Sequence, residues 1–226
     1  MIPREAGRKG TVVTRRPLDA WVGLAGLAAF LLSAVAASTG RVGSVEQAVF
    51  RAMNGLPGFL FGPMVATQFL GTLPVGPIVA IVALGFRRWR LALAAAAVTV
   101  LKLAAERGVK SVVHRQRPGT SIHDAILRGD VSRVGDSFVS GHLVLTAALA
   151  TILTPYLRGR WKVLPWVVVG AVAIARVYLG AHTPLDVVGG AGLGLVIGSM
   201  LNLMLGVPVP GGRREPGPRT RTDAGS

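Results

Sequence analysis

The sequence predicts an all-α fold, a polytopic membrane helical bundle with six transmembrane helices, and three observations carry that prediction. Of the 226 residues 51% are hydrophobic and only 15% charged, and the mean hydropathy is +0.54, far from a soluble globular average. Residues 20–40 carry no charge, enough for a helix to cross a hydrocarbon core of about 30 Å, which takes ~20 residues. The basic residues, finally, collect in alternate loops between such runs.

Taken in order, the spans fall at 20–40, 64–86, 91–110, 140–157, 163–180 and 184–206. A cleaved signal peptide is the alternative for the first, since a basic leader precedes it and Ala34-Val35-Ala36 resembles a cleavage site. Its apolar stretch is long for that role. Between the first two spans, Val45, Ala48, Val49, Ala52 and Met53 recur at helical spacing, with Ser44 and Gln47 as a capping box and Gly55 as a stop. This predicts a short amphipathic helix lying on the outer membrane surface. The third, fourth and fifth spans are uncharged only over 91–101, 143–157 and 163–175, because charge intrudes near their ends. The last span repeats a small residue at Gly190, Gly194 and Gly198, which lets backbones approach closely. Packing inside the bundle is the preferred use of that stripe, with a homodimer through the last helix as the lesser one.

Residues 1–18 read as a basic cytoplasmic leader, 19–206 as one six-helix transmembrane domain, and 207–226, rich in Pro, Gly and Arg, as a disordered cytoplasmic tail. The net charge of +15 raises nucleic acid as a partner. Its distribution argues against that: 15 of the 25 basic residues lie in the two tails and in the loops around Arg87, Arg88 and Arg90 and around Arg158, Arg160 and Lys162. The positive-inside rule then places both termini in the cytoplasm of a multi-pass plasma-membrane protein, with membrane lipids rather than nucleic acid as partners. With no cysteine in the chain, a disulfide, a thiolate nucleophile and a cysteine metal site are all excluded.

Tracing the chain from a cytoplasmic start puts Lys110, Arg117, Ser140, His142, Arg176, His182 and Asp186 at the outer ends of helices. A charge at mid-bilayer costs ~2.5–3.5 kcal/mol on insertion scales, so ionisable residues in spans are usually paired or functional. Ordinary snorkelling would account for one arginine but not for this set. Lys110, His114 and Arg117 are spaced to share a helical face, and Pro118 biases Arg117 out of helix. Lys102, Glu106 and Lys110 are four apart, so Glu106 either orients Lys110 or makes a purely structural pair with Lys102.

In "VSGHLVL", residues 139–145, Ser140 is a good N-cap and Gly141 permits close backbone approach, so the helix start makes an anion site. A simple cap explains Ser140 but leaves His142 unexplained. In "HTPLD", residues 182–186, Thr183 is the N-cap, Pro184 the first helical residue and Asp186 the capping-box acid, which also comes within reach of His182.

Three cations around orphan amides suit a dianionic phosphate, and arginine adds bidentate geometry. At an effective dielectric of about 20, a unit pair at ~4 Å is worth ~4 kcal/mol, so three fixed cations offset much of the developing charge. The chemistry therefore calls for no metal and no cofactor. Two histidines supply a nucleophile and a proton donor, the division of labour that phosphoryl transfer through a covalent intermediate requires.

The ordered segments "KSVVHRQRP" (110–118), "SGH" (140–142) and "RVYLGAHTPLD" (176–186) resemble the three-part signature of the type 2 phosphatidic acid phosphatase superfamily. That superfamily comprises lipid phosphate phosphatases and the related vanadium haloperoxidases. The resemblance implies His182 as nucleophile, Asp186 as the residue that orients it, and His142 as proton donor and later activator of water. It implies Lys110, Arg117, Arg176, Ser140 and the Gly141 amide as phosphate ligands. Two positions depart from the pattern, Val139 where proline is usual and Ala175 where serine is usual. The expected protein is a metal-independent membrane lipid phosphatase acting at the outer face on a polyprenyl pyrophosphate, phosphatidic acid or phosphatidylglycerol phosphate. The alternatives are a lipid-linked phosphotransferase using the same residues and a non-catalytic phospholipid-binding or transport protein.

Overall fold

Backbone polar groups in lipid must be satisfied within the segment that carries them, so apolar runs of this length fold as helices. The computed structural model describes residues 13–208, and the remaining parts of the expected leader and tail, 1–12 and 209–226, lie outside the described residues. In chain order come α1 (Pro17–Ser38), α2 (Ser44–Asn54), α3 (Phe61–Gln68), α4 (Val75–Gly85), α5 (Trp89–Lys110), α6 (Pro118–Ser121), α7 (Gly141–Leu153), α8 (Leu164–Tyr178) and α9 (Pro184–Leu205). A two-residue antiparallel strand pair joins β1 (Val13–Thr14) to β2 (Val207–Pro208), which opens the segment expected to be a tail.

Among the described residues, three segments are long and apolar enough to cross a membrane: α1, Gly159–Tyr178 and α9. A fourth arises if Gly58–Gly71 and Val75–Gly85, bent by 63°, form one broken span. The expected six is a larger number than these lengths establish, for physical reasons. Gly71 and Pro74 interrupt the second segment, α5 carries Lys102, Glu106, Arg107 and Lys110, and the apolar helix over Gly141–Tyr156 is short.

The last helix is the centre of the bundle, between α1 and α7. A methyl group on Gly190, Gly194 or Gly198 would meet the carbonyl of Ser140, Val144 or Ala148 at 2.6, 2.6 and 2.9 Å. The small-residue stripe is thus used against α7, inside the bundle. Gly192 faces α1 in the same way, with the Gly26 carbonyl 2.6 Å from its added carbon. A buried polar link closes this contact where α1 starts and α9 ends: Asn202 Nδ2 donates to Asp19 Oδ1 at 2.9 Å and reaches the Thr151 carbonyl at 3.1 Å.

The two ends of the bundle differ in character. At one, Arg15 donates to the Leu203 carbonyl at 2.8 Å, and the Arg88 guanidinium lies 5.4 Å from the centre of the Tyr156 ring. At the other, α2, α6 and the 122–139 segment form a roof. Asn54 pins this roof, donating to the Ile126 and Tyr178 carbonyls at 2.9 Å each and accepting from Ile126 N at 2.8 Å.

Helix α2 occupies the span expected of it and stops at Gly55, but its capping differs. Gly43 is the N-cap, and Gln47 Nε2 donates to the Val42 carbonyl at 3.1 Å rather than closing a box with Ser44. Its inward face carries Glu46, Phe50, Met53 and Asn54, with Val45 and Val49 exposed. The helix is therefore a packed part of the roof, against α8 and α9, rather than one resting only on the surface.

Candidate active site

Each expected site residue sits where a helix starts or ends, because only there does the backbone leave polar groups over. Helix α5 stops at Lys110, with Ser111 as its C-cap, so Lys110, His114 and Arg117 do not share a helical face. His114 faces outward, with Nδ1 3.6 Å from Asp136 Oδ2. Arg117 is the extended residue ahead of Pro118, as proline requires of its predecessor, and turns inward to the Ala181 carbonyl at 3.3 Å.

The opening residues of α7 form the floor. Ser140 is the N-cap by backbone conformation, and its amide donates to the Asp186 carbonyl at 3.0 Å. Its hydroxyl makes no capping bond and is buried without a partner among the described residues. Gly141 packs against the Glu106 carboxylate, which would have to shift to admit a Cβ there. Glu106 in turn accepts from Lys102 and Lys110 at 2.7 Å each, so it is both the structural partner and the link that carries Lys110 to the helix start. His142 packs over Gly71, where an added Cβ would be 2.8 Å from the imidazole.

The third segment leaves α8 at Tyr178, reverses at Gly180 with φ +76°, and re-enters helix at Pro184. The positive φ and the closeness of the Ile126 carbonyl, 2.6 Å from an added Cβ, make glycine the residue that fits this turn. Asp186 Oδ2 accepts from Thr183 N at 2.8 Å, and Thr183 and Asp186 close the expected capping box at the start of α9. His182 Nδ1 lies 3.7 Å from the same Asp186 oxygen, which is longer than a hydrogen bond. Arg176, one turn back, donates to Gln68 Oε1 from the broken second segment.

These three segments converge. Arg117, Arg176 and Asp186 act electrostatically on His182, and Arg176, His182 and Glu106 act on His142. Arg117 Nε, Arg176 Nε, Ser140 Oγ and His182 Nδ1 are all buried side-chain atoms without a hydrogen-bond partner among the described residues. In the loop between α8 and α9, burial pushes the His182 imidazole down to about 4, with Asp186 opposing and Arg176 and Arg117 adding to the shift. A neutral imidazole beside two guanidinium groups and a helix start is suited to nucleophilic attack on an anionic tetrahedral group. The departures Val139 and Ala175 are both fully buried.

Sequence reasoning missed three residues. Arg115 is fully buried and bridges Glu46 to Asp186. Glu46 also accepts from Leu185 N at 3.0 Å, and Gln68 holds Arg176. None has a local signal, since each contact spans dozens of residues in the chain.

A model of the PAP2 superfamily matches residues 88–206, just over half of the chain, and this chain belongs to that family. It is similar to a decaprenylphosphoryl-5-phosphoribose phosphatase of Mycobacterium tuberculosis, 35% identical over 107 residues, which is 47% of this chain. The chain spans about half the length of that relative, 54%. Among solved structures it resembles Aquifex aeolicus LpxE, with a TM-score of 0.61 and 25% identity over 70% of this chain and 95% of that one. It also shares the fold of a transmembrane PAP2-type phosphatidylglycerolphosphate phosphatase from Bacillus subtilis, with a TM-score of 0.67 and 24% identity over 80% of this chain and 94% of that one.

Proposed function

We propose that the protein is a lipid phosphatase that cleaves a phosphate monoester or pyrophosphate of a membrane lipid through a phosphohistidine intermediate. The observation that carries this reading is the gathering beside His182 of three buried polar atoms without a partner among the described residues, on Arg117, Ser140 and Arg176, at one end of an apolar bundle. Family membership and the similarity to named phosphatases support it.

With Nδ1 turned to Asp186, His182 attacks phosphorus through Nε2. The bond from phosphorus to the leaving oxygen breaks, and His142 gives that oxygen a proton. Water then loses a proton to His142 and displaces phosphate from His182, restoring both imidazoles. Arg117, Arg176, the start of α7 at Ser140 and Gly141, and Lys110 once released from Glu106 hold the phosphoryl oxygens. These groups neutralise the charge without calling on a metal.

The topology that fits this reading has six crossings, with α5, α7 and the bent 58–85 segment each spanning. The arginine-rich end lies in the cytoplasm and the site at the outer leaflet, in line with the positive-inside rule. One transmembrane domain, residues 19–206, then holds the whole site. A polyprenyl-linked phosphate is the preferred substrate class, on the similarity to the decaprenylphosphoryl-5-phosphoribose phosphatase. The test is phosphate release by purified protein in detergent with chelator present, over polyprenyl, phosphatidate and phosphatidylglycerol phosphates. His182→Ala is expected to lose nearly all turnover; full turnover in that variant refutes the mechanism, and no release from any lipid refutes the reading.

A further inference from the structure

Arg115 has 0% of its surface exposed. A buried guanidinium is strongly unfavourable unless paired, so its partners explain why the fold holds it. One terminal nitrogen lies 3.4 Å from Asp186 Oδ1, and the other donates to Glu46 Oε2 and lies 3.4 Å from the Arg41 carbonyl. Its main chain is fixed too, since Ser137 N and Oγ both donate to the Arg115 carbonyl, at 2.7 and 3.1 Å. The other oxygen of Glu46 accepts from Leu185 N, next to Asp186 in the chain. One cation thus stands between two carboxylates, and only the Asp186 carboxylate lies beside His182.

We propose that Glu46 and Arg115 are positioning residues, a mutually neutralising pair behind Asp186 that fixes its carboxylate and leaves its charge to the His182 imidazole. This rests on the phosphatase reading only in taking His182 as the reacting group. The charged and titratable groups facing His182 are Asp186 on α9, Arg176 on α8, Arg117 ahead of α6 and His142 on α7. Behind Asp186, Arg115 is countered by Glu46. If Glu46 loses its charge, Arg115 claims Asp186, and the imidazolium form of His182 loses its counter-ion. If Arg115 is removed as well, Asp186 is returned to His182. A pair that only holds the fold together gives a different pattern, because removing its second member adds damage instead of undoing it.

The test is a proton titration of the full-length protein in detergent, isotopically labelled at its four histidines, with the His182 resonance assigned from His182→Asn. In Glu46→Gln, which keeps the shape and one of the two acceptors while removing the charge, the His182 midpoint is expected to fall by about one pH unit, the order of one unit charge at an effective dielectric of about 20. In Glu46→Gln with Arg115→Met it returns toward the wild-type value. Arg115→Lys, which keeps the charge, stays near wild type. In turnover, Glu46→Gln is expected to lower kcat about tenfold with KM within about twofold, because neither residue touches substrate. An unmoved midpoint in Glu46→Gln overturns the proposal, and so does a double variant displaced further than the single one. If the double variant does not fold, the single one decides alone. Wild-type phosphate release is read separately, so the histidine titration tests this pair whether or not any lipid is hydrolysed.

Discussion

His182 Nδ1 stands 3.7 Å from Asp186 Oδ2, while the same oxygen accepts from Thr183 N at 2.8 Å. The carboxylate binds the backbone of the loop directly and acts on the imidazole through its field. Asp186→Asn keeps an acceptor for Thr183 N and removes the charge. It is expected to lower kcat at least about hundredfold while the protein still folds, as judged by circular dichroism. Wild-type turnover in that variant would show that the field is not used.

The acidity of His182 sets a second expectation. Burial holds its folded value near 4, against an ordinary value of 6.5. On the proposed mechanism the neutral form attacks, so kcat/KM should be lost as pH falls through about 4, with unit slope. Stability follows the same sign: the unfolded chain takes up the proton first, so the contribution of a neutral His182 is full above about 6.5 and declines as pH falls towards 4. An acid limb near 6.5 in wild-type kinetics would contradict the burial of this group.

Gly141→Ala places a carbon against the Glu106 carboxylate, so the carboxylate or the start of α7 must move. We expect a loss of about 1–3 kcal/mol in stability and a large loss of turnover. Removing the obstacle with Glu106→Ala in the same chain should restore the melting temperature more than the activity, because Lys102 and Lys110 lose their shared partner. Thermal melting of both variants in detergent checks this.

Gly194→Leu tests the seam between α7 and α9, where an added carbon meets the Val144 carbonyl at 2.6 Å and Ala147 Cβ at 2.8 Å. The melting temperature should fall by several degrees, reflecting about 1–3 kcal/mol or more of overpacking. Gly170→Ala on α8, with nothing within 4 Å of the added carbon, should leave it unchanged or raise it, since alanine is the better helix former.

Features of the fold that depend on neighbours in the chain were legible in the sequence. The Thr183, Pro184 and Asp186 start of α9, the glycine stripe and the extended Arg117 before Pro118 all follow from rules within one helical turn. Spacing alone puts Lys110 to Arg117 on one face, because it does not show that the helix ends at Ser111. Residue type favours Ser44 as the cap, whereas the preceding Gly43 adopts the extended cap conformation. Arg115 draws its importance from Glu46 and Asp186, 69 and 71 positions away. No local pattern encodes such partners.

The short pairing of Val13 and Thr14 with Val207 and Pro208 has a topological consequence. Two flanks bonded main chain to main chain share one side of the bilayer, so the traverses between them must be even in number. Among the described residues the long apolar segments number three, which is odd, so at least one further segment must cross, and labelling the loops on either side of the bent 58–85 segment would show whether it is that one.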